Sequence, residues 1–128
     1  MNERDVEILR NILKYTEQIN DANRHFNSEK EEFEENSVYR NAAAMCVLQI
    51  GELVKHLSDE YKLKTADEIP WHQIQGLRNV VAHEYGKIDT ESLWETITED
   101  IPRLCEFCTE QIAQLNEQIQ SDIPEIKM

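Results

Sequence analysis

Residues 38–50 read VYRNAAAMCVLQI, and only Arg40, Asn41 and Gln49 in that run are polar. The run reads as a helix that is apolar around most of its circumference. Such a helix is buried on more than one side. It is expected to begin after Asn36 or Ser37 and to run to about Tyr61. In a chain this small, the second burial partner is expected to be another copy of the protein. Gly51 inside the same helix costs about 1 kcal/mol relative to alanine, and close approach of a neighbouring helix would offset that loss.

Working outward, the pattern stays helical. Upstream, Val6, Leu9, Leu13 and Ile19 with Ile12 and Tyr15 form a stripe of helical period, which places a first helix at about residues 3–24. The polar cluster Asn23-Arg24-His25 is expected to break it. Ser28-Glu29-Lys30-Glu31 has the form of a capping box and predicts a short helix or turn. The acids Glu29, Glu31, Glu32, Glu34 and Glu35 read as a solvated face.

Downstream, residues 62–70 read as a connector. Ile69 precedes a proline and is biased away from helix, while Pro70 suits a first helical position. A third helix is expected from Trp71 to His83, with Gly86 as its stop. Asp89 or Thr90 should cap the last helix, with Glu91 favouring its positive end. Leu93, Ile97, Ile101, Leu104 and Cys108 mark its stripe, continued by Ile112, Leu115 and Ile119, and Pro102 should kink it. The expected organisation is one all-α domain over residues 1–120 with mostly short connections, followed by a frayed tail at 121–128.

Composition agrees. Three glycines and three prolines in 128 residues are too few for a sheet-rich protein with many tight turns. The N-terminus shows no signal-peptide pattern, and no run approaches the roughly 20 apolar residues of a membrane span, so a cytoplasmic protein is expected. Cys46, Cys105 and Cys108 are an odd set for a disulfide framework. Cys105 and Cys108 form C-x-x-C, but they stand at i, i+3 in a helical pattern with no second ligand pair, so core packing is the better reading. The formal net charge of −13 argues against a general polyanion binder.

The chemistry-bearing stretch is PWHQIQGLRNVVAHEYGKIDT, residues 70–90. On a wheel at about 100° per residue, Ile74, Leu77 and Val81 share a core stripe. His72, Gly76, Asn79 and His83 fall on the opposite side, and Arg78 lies beside the core stripe. Arg78 and His83 stand about 140° and about 7.5 Å apart on an ideal helix. They converge only if the helix ends near His83 or a second subunit completes the site. These residue types suit phosphoryl transfer on RNA. A histidine can take a proton from a ribose 2′-hydroxyl or protonate a leaving oxygen. An arginine can clamp a phosphate and offset growing charge. Asn79 can orient His83 at i, i+4, and Glu84 would favour the imidazolium if it approaches. No carboxylate cluster calls for a divalent ion, so a route without metal or cofactor is expected.

Arg78-Asn79-Val80-Val81-Ala82-His83-Glu84-Tyr85 resembles the R-N-x-x-x-H-x-Y signature of HepT-like toxins, a branch of the HEPN superfamily. Ile50-Gly51-Glu52, Ile69-Pro70-Trp71, Ile88-Asp89, Leu93-Trp94 and Asp100-Ile101-Pro102 with Leu104 are similar to flanking motifs of that family, in the same order. The resemblance implies a four- to five-helix up-down bundle that forms a homodimer, with two motifs facing one cleft. It implies a metal-independent endoribonuclease, the toxin of a type VII-like toxin–antitoxin pair. Arg78 and His83 would be catalytic and Asn79 would assist, with His72, Gly76 and Glu84 in supporting positions. Tyr85 matches a tyrosine that a partner minimal nucleotidyltransferase modifies with AMP. Added phosphate beside the site would repel RNA. Glu84 departs from the small residue frequent at its position.

Two other readings compete. One is a non-catalytic helical dimer that binds a nucleotidyltransferase or a nucleotide, and the other is a purely structural dimer. Charge placement bears on all three. Between Asp89 and Glu125 ten acids face the single base Arg103. Between Pro70 and Thr90, Arg78 and Lys87 balance Glu84 and Asp89. Between Asn36 and Ser58, Arg40 and Lys55 outnumber Glu52. The segments proposed to build the cleft therefore escape the general acidity, and short, salt-sensitive RNA contact is expected there.

Overall fold

A computed structural model describes residues 2–77 and 90–122, the side chains of 117–122 excepted. Every regular element among the described residues is helical. Helix α1 spans Glu3–His25, α2 Lys30–Glu35, α3 Ser37–Lys55, α4 Asp59–Lys64 and α5 Trp71–Gly76. After residues 78–89 the described chain resumes in α6, Thr90–Glu95, which continues through a π turn at Thr96–Asp100 into α7, Ile101–Asp122. The all-α expectation holds.

The long helices α1, α3 and α7 build the body, with α1 packed against both of the others. Their directions follow from side-chain contacts. Asn23 near the end of α1 meets Tyr39 at the start of α3, whereas Asp5 at the start of α1 meets Ser58 just past the end of α3. These two helices are therefore antiparallel. Asn23 also meets Ile97, and Tyr61 meets Gln111, so α7 runs antiparallel to α1 as well. Leu9, Ile12, Ile19, Val47, Ile50, Leu93, Ile97, Ile101 and Leu104 are fully buried between them. Each such side chain contributes roughly 1.5–3 kcal/mol on leaving water.

Leu9, Ile12 and Ile19 of the first expected stripe and Leu93 to Cys108 of the last thus reach the core, while Val6, Leu13, Tyr15, Ile112 and Leu115 are half-buried. The second helix differs in extent. It starts where expected, with Asn36 Oδ1 capping the amides of Val38 and Tyr39, but it stops at Lys55. Ser58 then caps a separate helix by accepting from the Tyr61 amide. The break arises because Asp5 of α1 accepts from both the Ser58 amide, at 2.8 Å, and its hydroxyl, at 2.6 Å. A helical residue 58 would have spent that amide on the preceding turn.

The first helix ends within the expected Asn23-Arg24-His25 cluster, at His25, with Asn23 itself helical and buried. Two further local expectations are corrected. The capping box at Ser28 does not form. Asn27 and Ser28 adopt left-handed backbone (φ 59° and 51°), and the Ser28 amide returns to the Asn23 carbonyl at 2.7 Å, a helix-terminating loop. Glu29 becomes the cap of α2 without a side-chain bond. The acids around it are exposed while Phe33 alone of that helix is buried, as a solvated face requires. Pro70 sits one residue before α5, at the cap position, rather than inside it.

Candidate functional site

The motif residues Arg78, Asn79, His83, Glu84 and Tyr85 lie outside the described residues, as do Val81, Gly86 and the expected cap Asp89. The described chain does define both anchors of that segment. On the upstream side, α5 divides as the wheel predicts: Ile74 is buried, Leu77 packs partly against the core, and His72 is exposed; Trp71, which the wheel did not assign, is buried as well. Gly76 is half-exposed, and a Cβ built there meets nothing within 4 Å, so among the described residues it relieves no crowding. His72 lines an open groove of about 570 Å³ together with Lys62, Leu63, Pro70 and Gln75. A smaller cavity of about 40 Å³ lies between the end of α5 and α7, bounded by Ile74, Leu77, Asp100 and Arg103.

The upstream anchor is set by Trp71. Its indole N–H donates to Thr65 Oγ1 at 2.8 Å, and that hydroxyl donates to the Tyr61 carbonyl at 2.8 Å. Its ring meets Phe107 edge-on at 5.6 Å and Tyr61 at 6.3 Å. This fixes the direction of α5, which ends at Gly76, two residues before the motif in sequence. The downstream anchor is α6. Leu93 is fully buried, and Trp94 lies 5.2 Å from Phe33 and 6.4 Å from Tyr39. Lys30 reaches Glu91 at 3.2 Å, an exposed pair of small energetic weight.

Electrostatics around the anchors favours neutral forms. Burial, with smaller contributions from Cys108, Glu68 and Asp5, raises the Tyr61 phenol well above its usual range. Burial and then Cys105 push the Cys108 thiol up to about 12, which makes it a core group and a poor nucleophile. The C-x-x-C pair is therefore packing on its Cys108 side, and all three cysteines are free. Desolvation and Glu95 raise the Asp100 carboxyl, against the pull of Arg103.

Sequence reasoning passed over two polar residues that hold these anchors, Asp5 and Asn23. A signal was present. Asp5, Leu9, Ile12, Thr16, Ile19 and Asn23 alternate at spacings of four and three, so the polar members share the apolar stripe, and all six are buried. A polar residue on such a stripe must find a partner inside.

The family described as ribonuclease HepT-like matches residues 8–111, which includes both anchors and the motif between them. The chain belongs to this family. It is 33% identical over 105 residues to "Putative RNase MJ1216" of Methanocaldococcus jannaschii, covering 81% of this chain and 84% of that protein. It is 33% identical over 73 residues to "Putative RNase MJ1380" of the same organism, covering 57% of this chain and 66% of the relative, just under two thirds of its length. "Probable ribonuclease HepT" of Thermococcus cleftensis is 38% identical over 55 residues, 43% of this chain and 49% of that protein. No solved structure matches. Among the described residues of this HepT-like chain no helix is long and apolar enough to cross a membrane.

Proposed function

We propose that this protein is a HepT-like toxin that cleaves RNA without a metal, through Arg78 and His83 at a cleft between two copies of the chain. The observation that carries the reading is the ribonuclease HepT-like match over residues 8–111, which spans the Arg78–Tyr85 motif. His83 takes the proton from a ribose 2′-hydroxyl. The 2′-oxygen then bonds to the adjacent phosphorus while the bond to the 5′-oxygen breaks, and a second histidine of the cleft protonates that leaving oxygen. The products are a 2′,3′-cyclic phosphate and a 5′-hydroxyl. Arg78 pairs with the phosphate oxygens as charge grows on them, and Asn79 holds the imidazole in orientation. His72, Gly76 and Glu84 are supporting positions. The exposed His72 beside Lys62 supports a path for RNA along the open groove.

The same reading assigns Tyr85 as the acceptor of AMP from a partner minimal nucleotidyltransferase, which silences the toxin by placing phosphate beside Arg78. The test is cleavage of a short 5′-labelled RNA oligonucleotide in the presence of a chelator. Wild type is expected to give cyclic-phosphate ends, and Arg78→Ala and His83→Ala to lose at least about a hundredfold in rate, the scale of a general base or an oxyanion partner. Equal rates for all three proteins would end the proposal. Co-expression with such a nucleotidyltransferase is expected to add the mass of AMP to wild type and not to Tyr85→Phe.

A further inference from the structure

The stripe of the last helix runs Leu93, Ile97, Ile101, Leu104, Cys108, and all five are buried. A π turn at Thr96–Asp100 interrupts this stripe, and its wider loop advances less per residue, so it sets the register of Leu93 and Ile97 relative to Ile101 and Leu104.

A π turn needs its own hydrogen-bond series. The Ile101 amide donates to the Thr96 carbonyl, five residues back. The next donor in that series would be residue 102, reaching Ile97. Residue 102 is proline and has no N–H. The Ile97 carbonyl sits in a buried environment, where an unmade bond costs roughly 1–3 kcal/mol. Asn23 of α1 fills the place. Its Nδ2 donates to the Ile97 carbonyl at 3.3 Å, and its Oδ1 accepts from the buried hydroxyl of Tyr39. Both ends of the amide are thus used, which fixes its orientation. Elsewhere in the turn, Thr96 and Thr98 hydroxyls donate to the carbonyls of Ser92 and Trp94.

We infer that Asn23, oriented by Tyr39, is a positioning residue that replaces the N–H missing at Pro102. It thereby sets which face is turned to the core by α6, the first described element after the Arg78–Tyr85 motif. The effect on cleavage rests on the proposed ribonuclease reading, while the effect on the turn does not. The reason for the linkage is short range: α6 begins at Thr90, five residues beyond Tyr85. Losing the Asn23 bond lets the turn slip toward α geometry, which would rotate α6 by about 100° for one residue of register.

The experiment is a double-mutant cycle between Asn23→Leu and Pro102→Ala, read by thermal unfolding and by RNA cleavage. Asn23→Leu alone is expected to lower the unfolding midpoint by about 5–10 °C. In the P102A background, where an amide is available to Ile97, the loss is expected to be less than half of that. Equal losses in the two backgrounds would overturn the replacement. Tyr39→Phe gives a milder check with the same shape, since it removes only the group that orients the amide. For cleavage of the labelled oligonucleotide, measured well below the midpoint, N23L is expected to lower kcat about tenfold and leave KM within about twofold. Unchanged kcat in the folded variant would remove the positioning role. If wild type cleaves no RNA, the ribonuclease reading falls, and the thermal cycle still decides the Asn23–Pro102 linkage.

Discussion

The two ends of the bundle solve one problem by different means. At one end Phe26, Phe33, Tyr39 and Trp94 pack together, Tyr39 bonds to Asn23, and that side-chain amide from α1 completes a turn in a helix 74 residues away. At the other end Tyr61, Trp71 and Phe107 pack together, and the polar bonds gather where helices start or stop: Asp5 accepts from Ser58, Ser58 from the Tyr61 amide, Thr65 from the Trp71 indole, and Gln111 from the Tyr61 hydroxyl. The second end holds α5, which leads into the motif, and the first holds α6, which follows it. The motif segment therefore joins an end where side chains settle helix ends, with Asp5 reaching Ser58 across 53 residues, to an end where one amide completes the middle of a turn. The difference teaches that errors at the two ends should have different reach. A lost cap loosens one helix start, whereas a lost Asn23 contact shifts the register of everything between residue 90 and the π turn.

Truncation should expose this contrast most strongly. Tyr39→Ala empties the centre of the first aromatic cluster and leaves Asn23 Oδ1 without its donor. A loss of about 3–5 kcal/mol is expected from urea unfolding, as for a large aromatic in a core. Asp5→Ala at the other end removes two bonds to Ser58 and should cost less, about 1.5–3 kcal/mol. Amide exchange should then show the D5A loss concentrated at the start of α4, and the Y39A loss spread over α3 and α6. Matching exchange patterns would break the comparison.

The smallest effect concerns Asp100, the last residue of the π turn. Its carboxyl is raised above the ordinary value of 3.8 by desolvation and by Glu95. The folded state therefore binds this proton more tightly than the unfolded chain does. The benefit is complete below pH 3.8 and is lost as the pH rises through the folded value. At neutral pH the ionised carboxylate opposes folding, so Asp100→Asn is expected to raise the unfolding midpoint slightly at pH 7 and to leave it unchanged below the ordinary carboxyl range. A stabilisation that persisted in acid would show that charge at the π turn is not the cause.

Much of this was legible from residue order. The apolar run at 38–50 announced a buried helix, and Asn36 capped it as the pattern suggested. The stripes at Leu9, Ile12 and Ile19 and from Leu93 to Cys108 reached the core they predicted. The buried side of α5 was read correctly at Ile74 and Leu77. What misled was local chemistry with a distant answer. Ser28 looked like a capping serine, but Asn23's carbonyl captured its amide and its hydroxyl. Ser58 looked like the interior of a long helix, but Asp5 claimed it from 53 residues away. A kink was expected at Pro102, and the chain widens into a π turn just before the proline.

Sequence by itself determined the helical class, the stripes that form the core and the family to which the motif belongs, because these depend on periodicity and on residue identity at fixed spacing. Only the tertiary structure decided where α3 stops, why Asp5 and Asn23 are buried, and how the turn before Pro102 is completed. Each of those depends on a donor and an acceptor far apart in the chain. Burial removes water as the alternative partner, so the fold must supply one, and which residue supplies it is set by packing.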